Sequence, residues 1–133
     1  MNGNKLLWDT NSVIYYLQAT LPKSSSDSLI EFSRSNPPII SFITEIELLC
    51  WKGATENDIV MITRFISASK VIGIDDQILK KTISTRKNYN LKLGDSIIAA
   101  TALELNLNLL TRDIKDFRKV PELSIIDPFE IKS

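Results

Sequence analysis

The feature that most constrains this chain is the recurrence of short apolar runs between longer stretches of helical spacing. Such runs occur at 5–8 (Lys-Leu-Leu-Trp), 39–41 (Ile-Ile-Ser), 70–74 (Lys-Val-Ile-Gly-Ile), 108–111 (Asn-Leu-Leu-Thr) and 124–126 (Ser-Ile-Ile). Each is strand-sized and too short for a stable helix. Helical spacing fills the intervals over 11–19, 24–34, 44–51, 55–68, 76–88 and 96–106. Parallel strands need crossovers of about a dozen residues or more, usually helices, so this alternation predicts βαβ units. The expected fold is α/β, a short parallel sheet covered by helices on both faces and formed by residues 1–133 as one domain. No repeat, low-complexity tract or interior linker interrupts the pattern.

Within the helices the apolar positions assign inner faces. Ile46, Leu49 and Cys50 share one spacing; Ile59, Ile62, Phe65 and Ile66 share another. Over 76–88 the inward set is Ile78, Leu79, Thr82 and Ile83, with Asp75 as the helix cap. Ser24–Ser26 are candidate caps for the second helix, and 96–106, apolar nearly all round, is expected to be buried on several sides.

Composition then excludes whole classes of chemistry. The chain has no His, so His general bases, His-ligated zinc and Ser-His-Asp triads are ruled out. Cys50 stands alone, which removes intramolecular disulfides and Cys-clustered metal sites and leaves a small apolar residue on a helix. Lys+Arg and Asp+Glu both number 16, so any nucleic-acid contact must come from a local patch. The first residues carry no signal-peptide pattern and no run approaches ~20 apolar residues, which reads as a soluble, cytoplasmic protein with no membrane partner.

In an open parallel sheet, ligands bind beyond the carboxyl ends of the strands. Acids follow several of these runs: Asp9 after the first, Glu45 and Glu47 after the second, Asp95 at the start of the 96–106 segment, Asp113 after 108–111. Each has an ordinary explanation. Asp9 and Asp95 could be N-caps worth about 1 kcal/mol each, Glu45 and Glu47 first-turn acids, and Asp113 a turn residue. Gathered at one rim, they would repel by about 1–4 kcal/mol per close pair, which a hard cation such as Mg²⁺ or Mn²⁺ offsets. A metal ion would then supply the activated water that a missing His cannot. Residue order alone leaves both readings open.

Four segments resemble the PIN domain family, and within it the VapC-like ribonuclease toxins of toxin–antitoxin pairs. They are Leu7-Trp8-Asp9-Thr10-Asn11, Ile40-Ser41-Phe42-Ile43-Thr44-Glu45-Ile46-Glu47-Leu48, Gly94-Asp95-Ser96-Ile97-Ile98-Ala99-Ala100-Thr101-Ala102 and Leu110-Thr111-Arg112-Asp113-Ile114-Lys115-Asp116-Phe117. Their order and separations are those of the family. The resemblance implies a PIN-like α/β/α sandwich and an acidic quartet of Asp9, Glu47, Asp95 and Asp113 as catalytic and metal-binding residues. Glu47, rather than Glu45, takes the family's glutamate position; Glu45 is given a solvated or salt-bridging role. Asp116 ranks below Asp113, in the metal's second shell or as a cap. Thr10, Asn11 and Thr111 become hydrogen-bonding supports for the carboxylates. Trp8 departs from the family's usual aliphatic residue.

The activity so implied is Mg²⁺- or Mn²⁺-dependent endoribonuclease cleavage, with RNA as substrate, a cognate antitoxin as partner and a homodimer as the assembly. Basic residues that could grip RNA phosphates are Arg112 and Lys115 beside Asp113, with Arg86 and Lys92 from the acid-free stretch 80–92. Lys80 and Lys81 read as a solvated helix face. Ile14, Tyr15, Leu29 and Phe32 are candidates for antitoxin docking or, equally, for core packing. Two other enzyme classes fit less well. A haloacid-dehalogenase-like phosphatase needs an acid where Asn11 stands, and a receiver domain lacks its acidic pair after the first strand. The rival outside enzymology is an inactive PIN-like module that only binds protein or RNA.

Overall fold

The computed structural model describes residues 5–131. The one-domain reading over 1–133 and the reading of the first residues as carrying no leader extend outside them. In chain order the elements are β1 (Leu6–Trp8), α1 (Thr10–Leu17), α2 (Lys23–Ser35), β2 (Ile39–Ser41), α3 (Phe42–Leu49), α4 (Glu56–Ala68), β3 (Lys70–Ile72), α5 (Asp76–Tyr89), α6 (Leu93–Glu104), β4 (Asn108–Leu110), α7 (Ile114–Phe117) and β5 (Ile125–Ile126).

The strands pair in the order β3-β2-β1-β4-β5, all parallel. From β1 the chain steps outward through β2 to β3, then returns across the sheet to β4 on the other side of β1. Leu6, Leu7 and Trp8 lie opposite Asn108, Leu109 and Leu110 in that central pair. The reversal makes the carboxyl ends of β1 and β4 a topological switch point, where such sheets open a crevice for ligands.

Alternation along the strands sends side chains to two cores. Leu6, Trp8, Ile40 and Leu110 pack with Val13, Leu29, Leu48, Ile62 and Phe65 from α1–α4. Leu7, Ile39 and Leu109 pack on the opposite face with Ile98, Ala99 and Ala102 of α6 and Phe117 of α7. Sheet burial on both faces explains why the strands read as unbroken apolar runs. Trp8 is accommodated by edge-to-face contacts with Tyr16 and Phe65, at ring-centroid distances of 5.1 and 5.3 Å. As expected, α6 is buried without interruption from Ser96 to Ala102.

Several local expectations are corrected. Helix α3 starts earlier, at Phe42, capped by Ser41, and buries Thr44 and Leu48; Ile46 and Leu49 are exposed, and Cys50 is an exposed C-cap rather than a packed helix residue. In α5 the buried set is Ile78, Thr82 and Thr85, leaving Leu79 and Ile83 exposed, while in α4 Ile59 is exposed. These helices carry apolar side chains on more than one face, so periodicity could not choose the inner one. Ser24–Ser26 are not caps: α2 starts directly after Pro22, and Ser25 faces inward. Likewise α6 begins before Asp95, which sits in its first turn behind an N-cap at Lys92.

Leu109 is fully buried and central to the second core. Leu109→Ala is expected to lower unfolding stability by about 2–5 kcal/mol, read from urea denaturation at unchanged slope. A loss under about 1 kcal/mol would show that this core closes around the cavity.

Candidate metal centre

The site grows from the exits of β1 and β4. Leaving β1, Asp9 caps α1: one carboxylate oxygen accepts the Ser12 N–H at 2.8 Å. Ser12 in turn donates its hydroxyl to the Leu110 carbonyl at 2.8 Å, and the Asp9 N–H donates to the same carbonyl at 3.1 Å. The other Asp9 oxygen accepts the hydroxyl of Thr111, the residue following β4. Thr111 Oγ1 also accepts the Asp113 N–H at 3.0 Å. One buried hydroxyl therefore fixes the acids that follow two neighbouring strands.

The second pair of acids comes from α3 and α6. Thr10 donates its hydroxyl to Glu47 and hydrogen-bonds Thr44 at 3.2 Å between hydroxyl oxygens, tying α1 to α3. A Glu47 oxygen lies 3.9 Å from where a Cβ at Gly94 would stand, which brings that carboxylate against the first turn of α6. Asp95 is the next residue. Its carboxylate gathers with those of Asp113 and Asp116, one oxygen from each lying within 4.8 Å of the others. Asp113 caps α7, accepting the Asp116 N–H at 3.3 Å, so the same turn carries both acids towards Asp95. Asp116 also meets Lys119 Nζ at 3.6 Å.

The charges at this rim strain one another. Burial first, then the negative charges of Asp113 and Asp116, and to a smaller extent Glu47, push Asp95 up to about 6 against the opposing pull of Lys92. Burial also raises Asp9, opposed by the hydrogen bonds from Thr111 and Ser12, with the charge of Asp113 adding a little. The donors in this cluster are all carboxylate oxygens, the set that suits a hard divalent cation, and such a cation would relieve the crowding. The residues present fit a Mg²⁺- or Mn²⁺-class ion.

All four acids of the expected quartet thus approach one rim, and Asp116 stands there beside Asp95 and Asp113. Thr10 and Thr111 hold carboxylates; Asn11 is exposed and instead lines a cavity with Asp9, Tyr15, Arg112 and Asp113. Glu45 is half-buried and forms no ion pair among the described residues. Arg112 is exposed beside Asp113, its guanidinium carbon 3.7 Å from the centroid of the Phe129 ring. Lys115, Arg86 and Lys92 are exposed too, with Arg86 donating to the Leu91 carbonyl at 3.3 Å. Leu29 is fully buried and is no docking surface, while Ile14, Tyr15 and Phe32 are half-buried against the same core. Sequence reasoning missed Ser12 and Phe129. Ser12 had a readable signal, a hydroxyl residue one turn after a capping Asp; Phe129 had none.

Comparison with known proteins agrees with this architecture. A family model described as PIN domain matches residues 6–123. A protein named Ribonuclease VapC1 from Haemophilus influenzae is 31% identical over 125 residues, spanning 86% of this chain and 91% of that protein. In a toxin–antitoxin complex from Klebsiella pneumoniae, one chain is 32% identical with a TM-score of 0.70, covering 96% of this chain and 100% of that one. DNA-bound VapBC from Salmonella typhimurium aligns with a TM-score of 0.80 at 25% identity, covering 94% of this chain and 98% of that one.

Crowding makes a stability prediction for the metal-free protein. Asp95 takes up its proton near pH 6 when folded, above the ~3.9 of an unfolded aspartate, so its charge disfavours the fold increasingly from pH ~4 and fully above pH 6. Asp95→Asn is expected to raise the melting temperature in EDTA by about 2–5 °C at neutral pH, and the gain should shrink towards pH ~4. An unchanged or lower melting temperature at neutral pH would mean the rim carries no such strain.

Proposed function

This chain belongs to the PIN domain family, and on that premise we propose that it is a metal-dependent endoribonuclease, the toxin of a toxin–antitoxin pair. The observation that carries the reading is the convergence of Asp95, Asp113 and Asp116, with Asp9 and Glu47 tied to the same rim, at the switch point of the sheet. Asp9, Glu47, Asp95 and Asp113, joined by Asp116, would hold Mg²⁺ or Mn²⁺. A divalent ion bound there would supply Lewis acidity towards a phosphodiester and would make water more acidic.

The chain's own residues set the frame for that chemistry. Thr111 orients Asp9 and, through the Asp113 N–H, the turn that presents Asp113. Thr10 orients Glu47, and these second contacts matter because they fix where the carboxylates point. Arg112 and Lys115 offer cationic donors beside the acids, with Lys92 and Arg86 further along the α5–α6 side, so that phosphates on either side of the cleaved bond find a counter-charge. The likeness to VapC1 and to chains in toxin–antitoxin complexes supports RNA as substrate and an antitoxin protein as partner. We propose the cytoplasm, where RNA is at hand, as the place of action and a homodimer as the assembly.

Antitoxin-free protein incubated with end-labelled total RNA is expected to cleave it in Mn²⁺ or Mg²⁺ and not in EDTA. Asp95→Asn should reduce the rate at least about 100-fold. Mn²⁺ should also raise the melting temperature of the wild type more than that of Asp95→Asn. A folded protein that gains stability from Mn²⁺ but cuts no RNA would instead favour a module that binds without turnover.

A further inference from the structure

Beside the carboxylates lies a cavity of about 220 Å³ lined by Asp9, Asn11, Tyr15, Arg112 and Asp113. Its cationic member is held in an unusual way. Arg112 forms no ion pair among the described residues, although Asp113 is its neighbour in the chain. The guanidinium instead lies over the ring of Phe129, 3.7 Å from the centroid. Phe129 meets Tyr15 edge-on, with centroids 5.2 Å apart and planes at 86°. Stacking occupies a face of the guanidinium and leaves its in-plane N–H fork free for a bidentate anion.

Phe129 is set in place by its own short segment. Its N–H donates to the Asp127 carboxylate at 2.9 Å, and the Glu130 N–H donates to the Asp127 carbonyl at 3.0 Å, closing a turn after β5. Pro128 and Ile131 are buried on either side, Ile131 within the first core. This turn lies beyond residues 6–123, the part that matches the family model, so the support for Arg112 is a feature of this chain outside the matched region.

Resting on the ribonuclease reading, we propose that Arg112, stacked on Phe129 and backed by Tyr15, forms the subsite for an RNA phosphate adjoining the carboxylate rim, with Phe129 as its positioning residue. An unsupported arginine next to Asp9 and Asp113 would be drawn onto those carboxylates. The ring holds it aside, so that the acids stay free for a cation and the arginine for a phosphate. Tyr15, which also lines the cavity, presents a half-buried ring beside that phosphate.

The test is RNA binding without turnover, in an Asp95→Asn background with Mg²⁺, by anisotropy of a fluorescein-labelled single-stranded RNA of mixed sequence, about 12 nucleotides long. Arg112→Ala should weaken binding about tenfold and reduce the salt slope by about 0.7, the signature of one lost phosphate contact. Phe129→Leu, which keeps apolar volume and loses the ring face, should weaken it about twofold to fivefold; Phe129→Tyr should restore wild-type affinity. In the Arg112→Ala background Phe129→Leu should add nothing, because its effect runs through the arginine. An additive loss there, or unchanged affinity in either single variant, or no binding of the RNA at all, overturns the subsite. Cleavage of total RNA by the wild type is scored separately, so failure of the nuclease reading and failure of the subsite remain distinguishable.

Discussion

The acidic rim is built on a buried hydroxyl, Thr111, that joins two strand exits. By donating to Asp9 and accepting from the Asp113 backbone, it converts the β1–β4 pairing into a fixed separation between two acids. The strand register, with Trp8 opposite Leu110, is what brings Thr111 level with Asp9. A slip of one residue would turn every side chain of the strand to the other face and destroy both the core and the acid pair. Core packing and site geometry are therefore one constraint, since Leu7 and Leu109 hold the register that Thr111 uses.

Like charges are gathered here against their own repulsion, and the fold manages this with a gradient of burial. Asp9 is buried and its oxygens are occupied by Thr111 and Ser12, so its cost of desolvation is partly met by hydrogen bonds. Asp113 is exposed, and Asp95 and Asp116 are half-buried. The carboxylates with the fewest protein hydrogen bonds thus stand nearest one another, towards solvent, where an ion can reach them. Interactions between groups about 4 Å apart change several-fold between surface and interior, so this placement decides how strongly the carboxylates repel and how much a cation would relieve them.

Much of this was legible in the sequence because strands and motif acids are local signals. The strand runs lay within two residues of their final bounds, and Asp9, Glu47, Asp95 and Asp113 were identified from resemblance before any geometry was known. What stayed hidden depends on tertiary contact. Helices α3 and α5 carry apolar residues on several faces, so periodicity points to Ile46, Leu79 and Ile83 as core, whereas Thr44 and Thr85 join Leu48 and the expected Ile78 and Thr82 in filling it. The nearness of Asp116 to Asp95 is set by the α7 turn, which the spacing does not reveal. The contact of Arg112 with Phe129 spans β5 and a turn, and no periodicity couples such positions.

On the ribonuclease reading, a chain of zero net charge must take a polyanion beside an acidic rim, which needs its charges sorted over short distances. At physiological ionic strength screening acts over about 8 Å, so the total charge matters less than what stands within that range of the cleaved bond. Around Asp113 that neighbourhood includes Arg112 and Lys115, which are exposed, and Lys119, which leans on Asp116. The same short stretch carries both acids and cations, and alternation along the chain alone would let them neutralise one another. Aromatic support for Arg112 and the capping turn that fixes Asp113 keep the two sets apart. The site's electrostatic order is in that sense a product of packing, since the turn at 127–131 that seats Phe129 also anchors Ile131 in the first core.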